Sequence, residues 1–229
     1  RLDAEVSPLS GKMYELPVKK ETTPGEYTVT VSFRLKADTA WASAGHEVAF
    51  GQAIYEVKAE RRVVRKPVTV IRSKHNIGVR GEDFDAMFSV LNGGLVSYRY
   101  AGKELIKEIP KPNFWRAPVD NDRGNLMPCR YAQWKIASMY LGHKDFREST
   151  YGQILEPEVK ETEDSVTVTY TYLMPTVPAG ECTLSYEVFG DGRIKTTLAY
   201  DPVKELGDMP EFGVLFKFDA DLDRVKWYG

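Results

Sequence analysis

Apolar and polar side chains alternate along two stretches of the chain. Between residues 27 and 35 the odd positions are apolar and the even positions polar, and residues 166–172 repeat this pattern. Because successive side chains of a strand point to opposite faces, a period of two is typical of a strand with one buried face. The apolar positions are Tyr27, Val29, Val31, Phe33, Leu35, Val166, Val168, Tyr170 and Tyr172.

Glycine-rich turns separate further apolar runs. Asn92-Gly93-Gly94 and Gly190-Asp191-Gly192 each lie between two such runs. Glycine readily adopts the positive φ that tight hairpin turns require. Together with the alternating stretches, these turns predict an all-β protein built from antiparallel strands.

A single short helix is predicted over residues 128–141. Tyr131, Trp134, Ala137 and Leu141 recur at three- and four-residue spacing, and Trp134 is the best core candidate among them. A proline opens the segment and a glycine follows its end, as is common for helices. Three other apolar residues fall outside this stripe: Ile136, Met139 and Tyr140.

The most distinctive residues of the chain lie together at positions 113–125. Pro110 and Pro112 precede them and disfavour a long helix there. Arg116 offers five N–H donors beside several acceptors, so we predict that it is substantially buried within a structural polar cluster. The acceptors of this cluster are Asp120, Asn121 and Asp122. The cluster suits either a self-satisfied loop that pins two sheets together or a surface that meets sugar or another domain.

Composition excludes several classes of function. The chain is 42% hydrophobic and 28% charged, as in ordinary soluble domains, and its net charge of -2 gives no electrostatic basis for binding nucleic acid or an acidic membrane. No apolar run approaches the ~20 residues that span a bilayer. Cys129 and Cys182 have neither a metal-ligand spacing nor an evident partner. Two free thiols favour a cytoplasmic over a periplasmic location.

No catalytic residue and no metal ligand is assigned from the sequence. The aspartates from Asp219 to Asp223 imitate the start of a calcium loop, but Arg224 occupies the position where that loop needs glycine. The acidic residues otherwise lie in turns or on polar strand faces, where solvation is the default. The histidines share no spacing that would bring them together: His46, His75 and His143.

Three stretches resemble the large bacterial β-galactosidases of glycoside hydrolase family 2. Residues 114–124 resemble the F-x-R-A-P-x-D-N-D-x-G signature that opens the small-chain domain of that family. Residues 39–50 resemble the T-A-W-x-x-x-G-H stretch of the preceding immunoglobulin-like domain, and residues 223–229 are similar to a strand further along the small-chain domain. The three stretches occur in the family's order.

The resemblance implies two partial domains. Residues 1–64 would be the C-terminal part of an immunoglobulin-like β-sandwich. Residues 65–229 would be the N-terminal part of an antiparallel supersandwich similar to galactose mutarotase. The basic, proline-ended stretch at 61–67 suits a boundary between them. Because about 60 residues is short for an immunoglobulin-like domain, we expect the chain to be truncated at both ends.

The function implied by the resemblance is that of a non-catalytic part of a retaining β-galactosidase. In the family the two catalytic glutamates lie on a β/α barrel outside this region, and the substrate is a terminal β-linked galactoside such as lactose. The expected partners are that barrel, the other domains of the parent chain and the galactoside. Magnesium, and often sodium, would be bound by other domains, and the parent would be a homo-oligomer.

The rim of the parent's pocket is the expected place of contact with substrate. The candidates are Trp115, Gly124 and Asn125, and we expect the loop 123–127 to move about Gly124. Two other functions are compatible with the residues. A free-standing carbohydrate-binding module would bind sugar alone through its aromatic residues, and a structural or assembly domain would bind none.

Overall fold

The computed structural model describes residues 5–59, 66–143 and 157–227. Contacts divide the chain into two compact units, Arg1–Val63 and Val64–Gly229. Strands dominate the described ranges and every strand pairing among them is antiparallel, which confirms the predicted all-β fold class. Among the helices in these ranges, none is both long and apolar enough to cross a membrane.

The first unit contains one long antiparallel hairpin. β1 (Gly25–Arg34) pairs with β2 (Glu47–Val57) along its whole length. The predicted alternation is present, since every second residue of β1 from Tyr27 to Val31 is partly buried while its neighbours are exposed. The Leu35 N–H donates to the His46 carbonyl at 2.9 Å and closes the loop between the strands.

The second unit contains two five-stranded sheets and one two-stranded sheet. The first five-stranded sheet has the order β3 (Thr69–Arg72), β4 (Asn76–Arg80), β5 (Phe84–Ser89), β6 (Gly94–Tyr100) and β7 (Lys103–Glu104). The second runs β10 (Glu158–Glu161), β11 (Ser165–Met174), β12 (Gly180–Phe189) and β13 (Ile194–Tyr200), with β9 (Gly142–His143) also paired to β11. The two-stranded sheet pairs β8 (Ile106–Asn113) with β14 (Gly213–Phe218).

The core of the second unit is filled from both five-stranded sheets. The ring of Phe88 on β5 lies 5.4 Å from that of Tyr186 on β12. The hydroxyl of Tyr170 on β11 donates to the Ser89 carbonyl at 3.1 Å, so a polar group buried in this core is satisfied across the two sheets. Burial raises the pKa of both tyrosines far above the ordinary range, and these hydroxyls stay protonated.

Both predicted hairpin turns are confirmed by backbone conformation. Gly93, between β5 and β6, has φ +65°, and Gly192, between β12 and β13, has φ +87°. Residues with a Cβ rarely adopt this left-handed region, and glycine adopts it without steric cost.

The helix predicted over 128–141 is not a single helix. Two short helices occupy this segment, α2 (Met127–Arg130) and α3 (Ala132–Met139), and another described helix, α1 (Asp120–Gly124), precedes them. The ladder breaks at Leu126, in the left-handed region with φ +63°, and again at Tyr131, with φ -117° and ψ +22°. The predicted stripe is still found, with Trp134 and Ala137 buried and Tyr131 and Leu141 partly buried. A 3-10 turn, Lys204–Leu206, completes the described helical elements.

Candidate functional site

The candidate site is the segment from Asn113 to Asn125, which links the end of β8 to α1 and the turn before α2. Asn113 is paired with Gly213 of β14, and its side-chain amide donates to the Trp115 carbonyl at 2.8 Å. The next N–H, that of Phe114, donates to Ser138 Oγ of α3 at 2.8 Å. The segment therefore leaves the sheet along a path fixed by hydrogen bonds on both sides.

Aromatic packing holds the beginning of the segment against the core. Phe114 is fully buried, with its ring 5.8 Å from that of Trp134 and 6.2 Å from that of Phe212. Trp115 is partly buried and packs against the same core cluster. Trp115 thus has a structural contact, and its role as a substrate-rim residue stays a prediction.

A bidentate ion pair between Arg116 and Asp122 closes the segment. Arg116 Nη1 donates to Asp122 Oδ2 at 2.5 Å, and Nη2 donates to Oδ1 at 2.9 Å. Nε of the same guanidinium donates to the Pro210 carbonyl at 3.2 Å, which ties the segment to the stretch before β14. The parallel N–H···O bonds give this pair a defined geometry that a single contact would not.

Asp122 also caps α1. Its Oδ2 accepts the Val119 N–H at 2.9 Å, so one carboxylate receives both the guanidinium and a free backbone donor at the helix start. The pKa of Asp122 is held below its ordinary value by the hydrogen bond from Arg116 and then by that from Val119. The same ion pair raises the pKa of Arg116. The pair is therefore ionised at neutral pH.

The predicted polar cluster is smaller than the sequence indicated, and less buried. Arg116 keeps 40% of its side-chain surface exposed and Asp122 keeps 10%, so the acid is buried and the base is only partly buried. Asp120 is fully exposed and reaches only Arg123, at 3.7 Å. Asn121 is exposed as well. The first turn of α1 explains this difference, because only its third residue points back to the capped N–H.

The expected mobile loop at 123–127 is largely helical. Gly124 is the last residue of α1; its φ lies outside the left-handed region, and a Cβ there would meet nothing within 4 Å. Asn125 Oδ1 accepts the Met127 N–H at 3.0 Å and Arg130 Nη2 at 3.2 Å, so its side chain holds the start of α2. The structure thus gives Gly124 no visible hinge geometry, and its substrate role and that of Asn125 stay predictions.

Leu126 is the unusual residue of this turn, and no pattern in the sequence predicts its conformation. Its backbone has φ +63° although it carries a γ-branched side chain, and 61% of its surface is exposed. A left-handed conformation costs an L-residue roughly 1–2 kcal/mol. Single-residue propensity does not reveal such a conformation, because the two flanking helices impose it.

The stretch before β14 contacts Tyr131, the residue that follows α2. The Tyr131 hydroxyl donates to Asp208 Oδ2 at 3.2 Å. Gly207 has φ +70° and ψ -166°, and a Cβ at this position would lie 3.0 Å from the Tyr131 ring. Together with the bond from Arg116 to Pro210, these contacts join the candidate segment to chain nearly one hundred residues away.

The acidic side chains at this site take part in ion pairs. Asp122 is held by Arg116, and the fully exposed Asp120 lies 3.7 Å from Arg123. Across the described ranges, no three side chains of His, Cys, Asp or Glu converge to hold a metal. Cys129 and Cys182 are free, and burial raises the pKa of the Cys182 thiol to about 12, which makes it unreactive.

Comparison with known proteins identifies the relatives of this chain. The family model described as "Beta galactosidase small chain" matches residues 80–229, and the model "Beta-galactosidase, domain 4" matches residues 1–56. A β-galactosidase of Clostridium acetobutylicum is 39% identical over 230 residues, which cover 100% of this chain and 24% of the relative. One from Halalkalibacterium halodurans is 37% identical over 89% of this chain and 20% of its own length.

A third relative is a separate subunit. The β-galactosidase small subunit of Latilactobacillus sakei is 33% identical over 173 residues, covering 72% of this chain and 54% of that subunit. The chain spans only about a fifth to a quarter of the longer relatives it matches.

Proposed function

Because this chain belongs to the β-galactosidase small-chain family, we propose that it is a non-catalytic region of a retaining β-galactosidase. In this proposal the parent hydrolyses terminal β-galactosides such as lactose on a catalytic barrel outside the chain. The segment from Asn113 to Asn125 supports that barrel and shapes the rim of its pocket. The small-subunit relative supports the proposal, since it is named as a subunit of a β-galactosidase.

The observation that carries the proposal is the bidentate pair between Arg116 and Asp122. It joins the exit of β8, the start of α1 and the stretch before β14 in one hydrogen-bonded unit. A segment fixed in this way can hold the exposed residue that follows it, Leu126, in one position against another domain. Such positioning by remote residues contributes to catalysis because reacting groups must stay within a fraction of an ångström of their productive geometry.

The parent's cofactors belong to the same proposal. Magnesium, and in some enzymes sodium, would be held by other domains and would supply electrostatic stabilisation near the substrate when bound. No step of the proposed role of this chain depends on them. The expected homo-oligomeric parent is likewise part of the proposal.

The proposal is tested first with the isolated chain. Retaining hydrolysis needs two catalytic carboxylates about 5 Å apart, which the proposal places on the barrel outside this chain, so we expect no release of nitrophenol from nitrophenyl β-galactoside. Turnover that persists after removal of host β-galactosidase would contradict the proposed non-catalytic role, and its loss in Asp122→Asn would show that the activity belongs to this chain.

Sugar binding by the isolated chain tests the alternatives. Titration calorimetry with galactose and lactose should show no saturable heat, because the proposed pocket is completed by another domain. Saturable binding that is lost in Trp115→Ala would indicate a free-standing carbohydrate-binding module instead. A purely structural domain would also bind no sugar. That alternative would be supported if substitutions in the segment left the kinetics of the parent enzyme unchanged.

A further inference from the structure

The outer face of the sheet β3–β7 contains a shallow trough of about 660 Å³. The strand register places Ile71, Gly78, Met87 and Ser97 in one row across four neighbouring strands. Gly78 contributes no side chain to the floor, while Ile71 and Met87 stand beside it, 54% and 44% exposed. The outward face of an antiparallel sheet is usually polar, and seven of the twelve residues that line the trough are polar or charged; the exposed Ile71 and Met87 are the exceptions that need an explanation.

A row of alternating charges runs beside the trough. The register pairs Arg80 with Asp85, Asp85 with Arg99 and Arg99 with Glu104, so four adjacent strands carry plus, minus, plus and minus on one face. Arg80 Nε donates to Asp85 Oδ1 at 2.5 Å. Glu104 accepts the Tyr98 N–H at 2.8 Å and is also bonded by the Ser97 hydroxyl. Arg99 forms no ion pair with any residue that the structure describes.

Such a row is complementary to itself when its direction is reversed. Two copies can pack face to face about a two-fold axis that runs parallel to the strands over the boundary between β5 and β6. Asp85 of each copy then lies opposite Arg99 of the other. At the two ends of the row, Arg80 of each copy would lie opposite Glu104 of the other. Every charge would face one of opposite sign, which is the condition for an isologous interface.

We propose that the outer face of β3–β7 is a contact surface between two copies of this chain. The unpaired Arg99 gains the free carboxylate oxygen of Asp85 from the other copy, and Met87 comes to lie over Ser97 of that copy. A sugar is disfavoured as the occupant, because the trough contains no aromatic ring on which a sugar could stack.

The size of the face sets the strength of this contact. Five strands about 4.8 Å apart and a few outward residues per strand give roughly 400 Å² per copy, about half of a standard interface. Self-association of the isolated chain is therefore expected to be weak, with a Kd of about 10 µM or higher. The central ion pairs should make this Kd rise with salt concentration.

Charge reversal of the two central residues tests the proposal by sedimentation equilibrium of the 229-residue chain. Arg99→Asp leaves only acids at the centre of the row, and Asp85→Arg leaves only bases, so each variant alone should raise Kd at least tenfold. An equimolar mixture of the two should associate about as well as the wild type, because each supplies the charge that the other lacks. Glu158→Arg, the same change of charge on exposed β10, should leave Kd unaltered.

The mixing experiment separates this surface from other causes of association. Thermal melts of each variant verify folding, and a Tm near that of the wild type is expected because both side chains are exposed. A wild type that stays monomeric up to several hundred micromolar would overturn the proposal and leave the trough to a different partner. Unchanged association of the single variants, or a mixture that fails to restore it, would overturn the proposal as well.

Discussion

At the scale of single residues, Asp122 and Arg116 together join the parts of the candidate segment. The two carboxylate oxygens of Asp122 accept the Arg116 guanidinium and the Val119 N–H, and Arg116 in turn reaches Pro210. The partnership with Arg116 was predictable because the two residues are six apart and their charges are opposite. The bond from Arg116 to the Pro210 carbonyl was not predictable, because Pro210 lies 94 residues away and is brought close only by the pairing of β8 with β14.

Asp122→Asn should lower Tm by roughly 2–6 °C, because it weakens both the ion pair and the cap of α1. The matched change Asp120→Asn should move Tm by no more than about 1 °C, since Asp120 is fully exposed. Differential scanning calorimetry of the two variants and the wild type measures both effects. Equal shifts in the two variants would show that the pair contributes nothing specific.

The stabilisation by Asp122 should also depend on pH in a defined direction. Its pKa in the folded chain lies below the ordinary value of 3.8, so the unfolded chain binds its proton first as the pH falls. The stabilisation is complete above the unfolded pKa and is lost as the pH falls through the folded pKa. The Tm gap between wild type and Asp122→Asn should therefore be constant from about pH 5 to 7 and shrink below about pH 4; a gap that widens in acid would contradict this assignment.

At the scale of elements, the alternation of apolar and polar residues predicted strands correctly. The helical region was predicted without the break that divides it. Strand period and hairpin glycines act locally, so β1, β11 and both tight turns could be read from the chain. Within the predicted segment the break falls at Tyr131, whose non-helical backbone has no signature in its side chain, while Leu126 separates α1 from α2 before that segment. A single helix was therefore predicted where the structure has short ones.

Two glycines near α2 should respond oppositely to alanine. Gly207→Ala should cost about 1–3 kcal/mol, because φ +70° with ψ -166° is a region essentially reserved for glycine and the new Cβ would press on Tyr131. Gly124→Ala should be neutral or stabilise by about 0.5 kcal/mol, since its backbone is helical and the space is open. Urea denaturation of both variants gives the two free energies of unfolding. A costly Gly124→Ala would restore the case for a hinge there.

The contact between the two five-stranded sheets can be tested at one hydroxyl. Tyr170→Phe should cost about 1 kcal/mol, because the Ser89 carbonyl loses one of its two donors and keeps only the Gly93 N–H at 3.1 Å, while the aromatic packing is kept. Tyr140→Phe, at a residue 62% exposed, should change stability by less than about 0.5 kcal/mol. Urea midpoints at constant m-value provide the comparison. If both variants match the wild type, the buried hydroxyl adds nothing to the cohesion of the sheets.

At the scale of the whole molecule, the described part of the chain combines a hairpin unit with a second unit of antiparallel sheets that contains the candidate site. The family could be predicted from three short stretches, because one of them, at 114–124, contains the ion-paired residues themselves. The row of charges on the outer face could not be predicted from the sequence, because its residues become neighbours only through strand register. These residues are Arg80, Asp85, Arg99 and Glu104.

We propose that this region positions the rim of a catalytic pocket located elsewhere in the parent. The most direct measurement replaces the matching region of the Clostridium acetobutylicum β-galactosidase with this chain and compares kcat/KM among variants of the chimera. The account predicts an active chimera in which Asp122→Asn lowers kcat/KM about tenfold or more at temperatures where the protein stays folded, while Asp120→Asn leaves it unchanged. Equal activity of the two variants in the folded state would contradict it.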